Sequence, residues 1–379
     1  MPSVAVTVGS PIVRSFRVEA IAGLFGLQLA DRPSETFSAE IPSLDESWTI
    51  GAIVGPSGSG KSTIARAGFP GAVYRRRPWP RDRAVVEGFP ERPVKQITET
   101  LTAVGFSSPP SWVKAFAVLS NGEQFRCELA RALLSSASLV VFNEFTSVVD
   151  RTVAQIGSAA VAKSVRLGRV PVQRFVAVSC HYDVLDWLEP DWVLDMATCQ
   201  LVRGRLPRRP PISLSLFRCE HSAWRLFAKH HYLTGDLHKG AHCYLALWRD
   251  RPVAFCATMP SLAKARRRRI SRLVTLPDYQ GVGIGGAVLD AVADLYAAQG
   301  IRMNITTSHP AMIHRLGASP RWRLDLVLKR GCTKCGIKDL PFDRTSSRGR
   351  AVVGFEYRPL SQSVARRAGA TPEPSSGGG

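Results

Sequence analysis

Apolar residues fall along the first half of the chain in short runs separated by periodic stretches. Ile50, Ala52, Ile53 and Val54 form one run, Leu139, Val140, Val141 and Phe142 a second, and Phe175, Val176, Ala177 and Val178 a third. Runs this short, bounded by turn residues, predict apolar strands. Between them Thr63, Ile64, Ala65, Arg66 and Ala67 read as helix, as does the stretch ending in Ala130, Arg131, Ala132 and Leu133. Ala84, Val85 and Val86 read as a further strand that ends in Glu87.

The pattern changes after a segment rich in Pro and Arg, residues 203–213, which predicts a stiff linker. Residues 222–229 look helical. Residues 241–248 and 252–258 read as the two strands of a hairpin turned at Arg249, Asp250 and Arg251. Residues 272–276 predict a strand, 287–298 a helix stopped at Gly300, and 301–306 another strand. There are no internal repeats, and 361–379 is a disordered tail by composition. The expected organisation is α/β for 1–202 and α+β, a mixed sheet flanked by helices, for 214–360.

Composition narrows this. A 379-residue chain that is 45% hydrophobic can bury two cores and is not disordered throughout. No stretch approaches 18 uncharged apolar residues, and the first residues lack a signal pattern, so a cytoplasmic protein with its eight cysteines reduced is expected. The net charge of +20 gathers in Arg75, Arg76 and Arg77, in Arg205 to Arg209, and in Lys264 to Arg269. Such clusters suit phosphate backbones, which makes DNA or RNA a candidate partner, although solvated arginine-rich faces give the same composition.

Gly55, Pro56, Ser57, Gly58, Ser59, Gly60, Lys61, Ser62 and Thr63 satisfy G-x-x-x-x-G-K-[ST], placed between an apolar run and a helix-like stretch. In that setting backbone N–H groups wrap phosphates, Lys61 reaches the β/γ oxygens and the Ser62 hydroxyl faces Mg2+. A nucleoside triphosphate is the expected ligand.

Downstream, Leu119, Ser120, Asn121, Gly122 and Glu123 resemble the LSGGQ signature of ABC-type ATPases, and Ser147, Val148, Val149 and Asp150 resemble their D-loop. Asn143 and Glu144 close one apolar strand, and His181 follows another where the family carries its switch histidine. The resemblance implies ATP and Mg2+ as ligands. Glu144 would orient or deprotonate the attacking water, and His181 would contact the γ-phosphate. Asp150 would belong to the ATP site. Ser120 and Gly122 would cover ATP held by a second copy, giving an ATP-sandwiched homodimer. Three departures stand out. Asn143 replaces the Mg2+-liganding Asp, and a neutral amide is a weaker ligand for a hard cation, which implies slow or switch-like hydrolysis. No Gln-loop is evident, leaving Glu87 as a substitute carboxylate. The segment between Lys61 and Leu119 leaves little room for the subdomain that docks transporters, so a soluble, non-transporter ATPase without a membrane partner is expected. Phe16 is the one aromatic offered for adenine stacking.

Gln280, Gly281, Val282, Gly283, Ile284, Gly285 and Gly286 resemble motif A of the GNAT acyltransferases, in a strand–Pro–turn–helix setting. The resemblance implies binding of acetyl-CoA, or another acyl-CoA. Its pyrophosphate would sit on backbone N–H groups at a helix start, and the backbone of Val274 and Leu276 would pair with the pantetheine arm. His230, His231 and Tyr232, with His309 and His314, are candidates to line the acceptor pocket. Cys332 and Cys335 form a lone CxxC, either a zinc half-site or a reduced turn. The function expected is that of an ATPase in which ATP binding and dimerisation gate N-acyl transfer from an acyl-CoA onto an amine, with a nucleic acid as one acceptor class. Two alternatives stay open. One is a nucleic-acid-remodelling ATPase whose GNAT domain only binds. The other is an acetylase of proteins or small molecules on an ATP-dependent dimer scaffold.

Overall fold

A computed structural model describes residues 2–9, 12–26, 29, 34–204, 209–231, 237–261, 266–328 and 351–359. The chain forms two compact units, Met1–Ser107 with Ser111–Pro211, and Ser108–Pro110 with Ile212–Gly379.

The first unit opens with strand β1 (Ser3–Gly9), helix α1 (Phe16–Phe25) and strand β2 (Ser34–Glu40), the strands pairing antiparallel as a ribbon. Then follow β3 (Ile50–Val54), α2 (Lys61–Gly68), α3 (Val94–Ala103), the short α4 (Pro109–Trp112) and α5 (Asn121–Leu133). The unit continues with β4 (Leu139–Phe142), α6 (Arg151–Arg166), β5 (Arg174–Ser179), α7 (Leu185–Leu188), β6 (Trp192–Asp195) and β7 (Gln200–Arg203). Five strands make one sheet in the order β4-β5-β3-β6-β7, parallel except for β7.

The apolar runs explain this sheet. Ile50, Ala52, Val54, Phe142, Phe175 and Ala177 enter the core shared with α5 and α6, whereas Ile53, Val141, Val176 and Val178 enter the core with Ile64 and Phe69. Both faces are covered, so alternate residues are equally apolar. Gly51 is required by close approach, because a Cβ there would strike the Trp192 indole.

The second unit contains β8 (Ser215–Cys219), β9 (His242–Trp248), β10 (Arg251–Pro260), β11 (Arg267–Thr275), α8 (Ile284–Ala297), β12 (Arg302–Thr307), α9 (Pro310–Gly317), β13 (Trp322–Leu328) and β14 (Val352–Tyr357). Among the described residues its sheet runs β13-β14-β12-β11-β10-β9-β8, and β11 with β12 is its parallel pair. A parallel pair needs a crossover, and α8 supplies it. The β9–β10 hairpin turns on Arg249 and Asp250 alone, at φ 51° and 60°, the two-residue turn whose twist matches the strands.

Several expectations are corrected. Val85, Val86 and Glu87 lie in a 3-10 turn, Val85–Gly88; only Ala84 makes a bridge, to Ala115. Residues 222–229 form two 3-10 turns, His221–Leu226 and Ala228–His230. The basic run reaching Arg269 is not a free patch, because Arg267 to Arg269 begin β11. The Arg267 guanidinium is 10% exposed and pairs with Asp325 and Glu356, while Arg268 bonds Thr258 and lies over the Tyr296 ring. Tyr232, Lys264, Ala265, Cys332, Cys335 and Arg205 to Arg208 lie outside the described residues.

Candidate functional site

In the first unit the strand order places β3, β5 and β4 side by side, so their carboxyl ends share one edge of the sheet. The loop from Gly55 to Gly60 leaves β3 with Gly55, Gly58 and Gly60 at φ 145°, 82° and 80°. Side chains rarely adopt that region, and a Cβ on Gly60 would also enter the Phe37 ring. Lys61 Nζ donates to the Pro56 carbonyl at 2.6 Å, an arrangement that leaves the ammonium over the loop. Ser62 Oγ donates to Asn143 Oδ1 at 2.7 Å, so the two oxygens assigned to Mg2+ meet. Ser59 Oγ is buried without a partner. Left-handed glycines, an orphaned hydroxyl and a poised lysine fit a polyphosphate. Among the described residues no cluster of His, Cys, Asp and Glu could hold a metal.

Beyond β4 the chain is strained. Glu144 and Thr146 hold φ 54° and 67° without being glycine, a cost of about 1–3 kcal/mol each, and such strain clusters at functional sites. The Phe145 N–H donates to Val178 O at 2.8 Å, fixing this turn against the end of β5 and leaving Glu144 exposed. His181 follows β5, its N–H donating to Ser179 Oγ at 3.1 Å. Glu144 and His181 thus sit on adjacent strand ends beside the Gly55–Gly60 loop. Asp150 caps α6 by accepting the Thr152 N–H at 2.8 Å, and the next residue, Arg151, pairs with Asp183 just beyond His181. Ser120 caps α5 reciprocally with Glu123, is exposed, and has Gly122 in the first turn beside it. Phe16 lies on α1 and is 87% exposed, whereas Phe37 is the aromatic that touches the loop.

In the second unit β11 pairs with β12 only from Arg267 to Ile270, leaving the β12-facing edge of β11 unpaired by β12 from Ser271 onward. A bulge opposite Ala257 and Thr258 falls at Ser271, whose hydroxyl donates to the Ala257 carbonyl at 3.1 Å. The Leu276 N–H donates to Val253 O at 2.9 Å, and the register pairs Val274 with Phe255. Strand alternation therefore turns the backbone of Val274 and Leu276 toward β10, and that of Leu273 and Thr275 toward the open edge. The edge left open is therefore that of Leu273 and Thr275, whereas the backbone of Val274 and Leu276, expected to pair with a pantetheine arm, is already turned to β10. A sequence gives the strand but not which neighbour claims its first hydrogen bond.

Gln280 Nε2 donates to the Thr275 carbonyl at 2.8 Å, tying the turn to the strand. Gly281 and Gly283 hold φ 92° and 100°; Gly283 caps α8 and faces open space. The first backbone bond of α8 runs from Ala287 N–H to Gly283 O, so the N–H groups of Ile284, Gly285 and Gly286 have no acceptor within the helix. A Cβ on Gly285 would lie 2.7 Å from Thr275 Oγ1, and one on Gly286 would enter the Arg315 side chain. An open strand edge leading to a free helix start fits an extended arm ending in a phosphate.

The candidate histidines fall in two places, at the second 3-10 turn and on α9. His230 ends a 3-10 turn, His231 packs edge-on to Trp224 at 5.8 Å, His309 caps α9, and His314 is exposed in the last turn of α9. A polar cluster not foreseen from sequence joins His242 Nδ1, Tyr244 Oη and Thr258 Oγ1 to Tyr296 Oη at 2.7, 2.9 and 3.0 Å. Burial, then Arg268 and Arg218, hold the His242 pKa below its ordinary value, and burial pushes the Tyr244 phenol far up.

Residues 211–316 match the acetyltransferase (GNAT) family. No curated protein sequence matches the chain. Among solved structures, the ribosomal-protein-S18-alanine N-acetyltransferase of Escherichia coli is 12% identical, over 38% of this chain and 93% of that one, at a TM-score of 0.30. A GNAT family acetyltransferase from Elizabethkingia anophelis with acetyl-CoA bound is 11% identical, over 38% and 98%, at 0.27. The dimeric bacterial ABC transporter cassette MJ0796 is 15% identical, over 42% and 87%, at 0.34. Scores this low add nothing to what the chain's own geometry shows.

Proposed function

Taking residues 211–316 as a GNAT acetyltransferase domain and the first unit as a fold resembling an ABC ATPase cassette, we propose an ATP-gated N-acyltransferase that acts on an amine borne by a nucleic acid. The observation that carries the acyl-transfer half is the β11 edge left unpaired by β12 beyond Ile270, leading to the free N–H groups of α8. Leu273 and Thr275 orient the acyl-CoA arm as a neighbouring strand would. Ile284, Gly285 and Gly286 hold the pyrophosphate. The amine nitrogen attacks the thioester carbonyl, the C–S bond breaks, and the proton lost by the amine neutralises the departing thiolate.

In the first unit Lys61 and the loop N–H groups bind the triphosphate, Ser62 and Asn143 present oxygens to Mg2+, and Glu144 positions water. Ser120 has only its own helix cap to make within one protomer, so its second role is to cover ATP on a partner copy. Binding of ATP thereby assembles a homodimer and sets the acyltransferase domains to work. Among the described residues no helix is long and apolar enough to cross a membrane.

Calorimetry on the full chain tests the ligand pair. Saturable binding of both acetyl-CoA and Mg-ATP is expected. Absence of acetyl-CoA binding would remove the acyltransferase half of the reading.

A further inference from the structure

The chain's basic clusters meet different fates. Arg267 and Arg268 are consumed by contacts within their own sheet. Arg75, Arg76, Arg77, Arg81 and Arg83 are all exposed, and among the described residues none of them makes an ion pair. Asp82 is the one acid among them.

The loop that carries them is anchored along its length. At its start Tyr74 N–H donates to Val141 O at 2.8 Å, and its ring stacks on Phe142 at 5.5 Å. At its end Ala84 bridges to Ala115, and Val85 N–H donates to Lys114 O at 2.8 Å. Between these, Trp79 stacks on Phe116 at 4.5 Å and carries the Arg131 guanidinium 3.3 Å from its ring centroid. Tyr74 Oη and Trp79 Nε1 both donate to the buried Glu128 carboxylate, at 2.8 and 2.5 Å. Arg131 donates to the carbonyls of Arg77 and Gly88 at 2.8 and 2.6 Å. Burial and Glu128 raise the Tyr74 phenol well above its ordinary range, so its donated proton stays in place.

Glu128 and Arg131 lie on α5, the helix capped by Ser120. A buried acid, a buried arginine and two aromatics thus anchor a segment that carries five exposed arginines, of which Arg76 lies over the Phe142 ring. Arginine's planar fork matches phosphate oxygens, and a rigid loop loses little entropy on binding a repeating polyanion. We propose that the loop from Arg75 to Arg83 is a binding surface for the phosphate backbone of a nucleic acid, mounted on the helix that bears the signature motif. The choice of nucleic acid rests on the function proposed above, but its test needs neither acyl-CoA nor turnover, so the two fail separately.

The experiment measures binding of the full chain to a labelled single-stranded RNA and a labelled DNA duplex by fluorescence anisotropy, from low to moderate salt. Arg75→Gln/Arg76→Gln/Arg77→Gln should weaken binding to at least one of them more than ~10-fold near 0.1 M salt. The slope of log affinity against log salt should become shallower by about 2–3. A charge-matched control, Arg249→Gln/Arg251→Gln/Arg358→Gln, should change affinity by far less. Trp79→Ala, which removes no charge, should also weaken binding, with circular dichroism confirming the fold. If Trp79→Ala does not fold, the arginine variants decide. Wild-type protein that binds neither nucleic acid overturns the proposal. So does a triple variant no weaker than its control. Loss of binding to phosphatidylserine vesicles with nucleic-acid affinity unchanged overturns it in favour of a membrane surface.

Discussion

Gly283 offers the most discriminating single position. It caps α8 at φ 100°, and a Cβ there meets no heavy atom within 4 Å. A substituted side chain is therefore free to project, and the direct cost is backbone strain of about 1–2 kcal/mol. Gly283→Ala should lower stability by about that amount and leave most acyl-CoA affinity intact. Gly283→Glu carries the same strain and adds a carboxylate beside the N–H groups of Ile284, Gly285 and Gly286. It should compete with the pyrophosphate for several charge-assisted hydrogen bonds, a loss on the order of 3 kcal/mol, about a hundredfold in affinity. Thermal melts report the strain and calorimetry with acetyl-CoA reports the binding. Equal affinities for the Ala and Glu variants would refute an anion seat at this helix start.

Three further outcomes follow from the first unit. Lys61→Ala should abolish ATP binding, because it removes the ammonium poised over the loop; a normal Kd by calorimetry would contradict the phosphate cradle. Glu144→Gln should leave ATP binding intact and trap a dimer with Mg-ATP, seen as a doubled mass in light scattering; a monomer at saturating ATP would contradict the sandwich. Asn143→Asp places a carboxylate 2.7 Å from the Ser62 hydroxyl and should raise turnover or lower the Mg2+ requirement severalfold. An unchanged Mg2+ dependence would mean that the cation is held elsewhere.

What the sequence made legible was local. The glycine loop of 55–60, the turn before α8 and the β9–β10 hairpin are each written in consecutive residues, and each forms where its pattern lies. What was not legible depended on partners distant in the chain. That Leu273 and Thr275 face the open edge follows from Leu276 bonding Val253, and the Tyr296 cluster joins residues from two strands and a helix. The arginine start of β11 carries no apolar signal, because its charges are met by Asp325 and Glu356 far along the chain. The lone valines of β1 alternate as Val4, Val6 and Val8, a period of two that was present but short.

The central claim is that ATP controls acyl transfer to a nucleic acid. It is tested most directly by incubating the full chain with acetyl-labelled acetyl-CoA and total nucleic acid from cells lacking the gene, with Mg-ATP or without nucleotide. The account predicts label in nuclease-sensitive, acid-precipitable material, at least several-fold higher with Mg-ATP. Equal incorporation with and without ATP, or none in the nucleic-acid fraction, would contradict it.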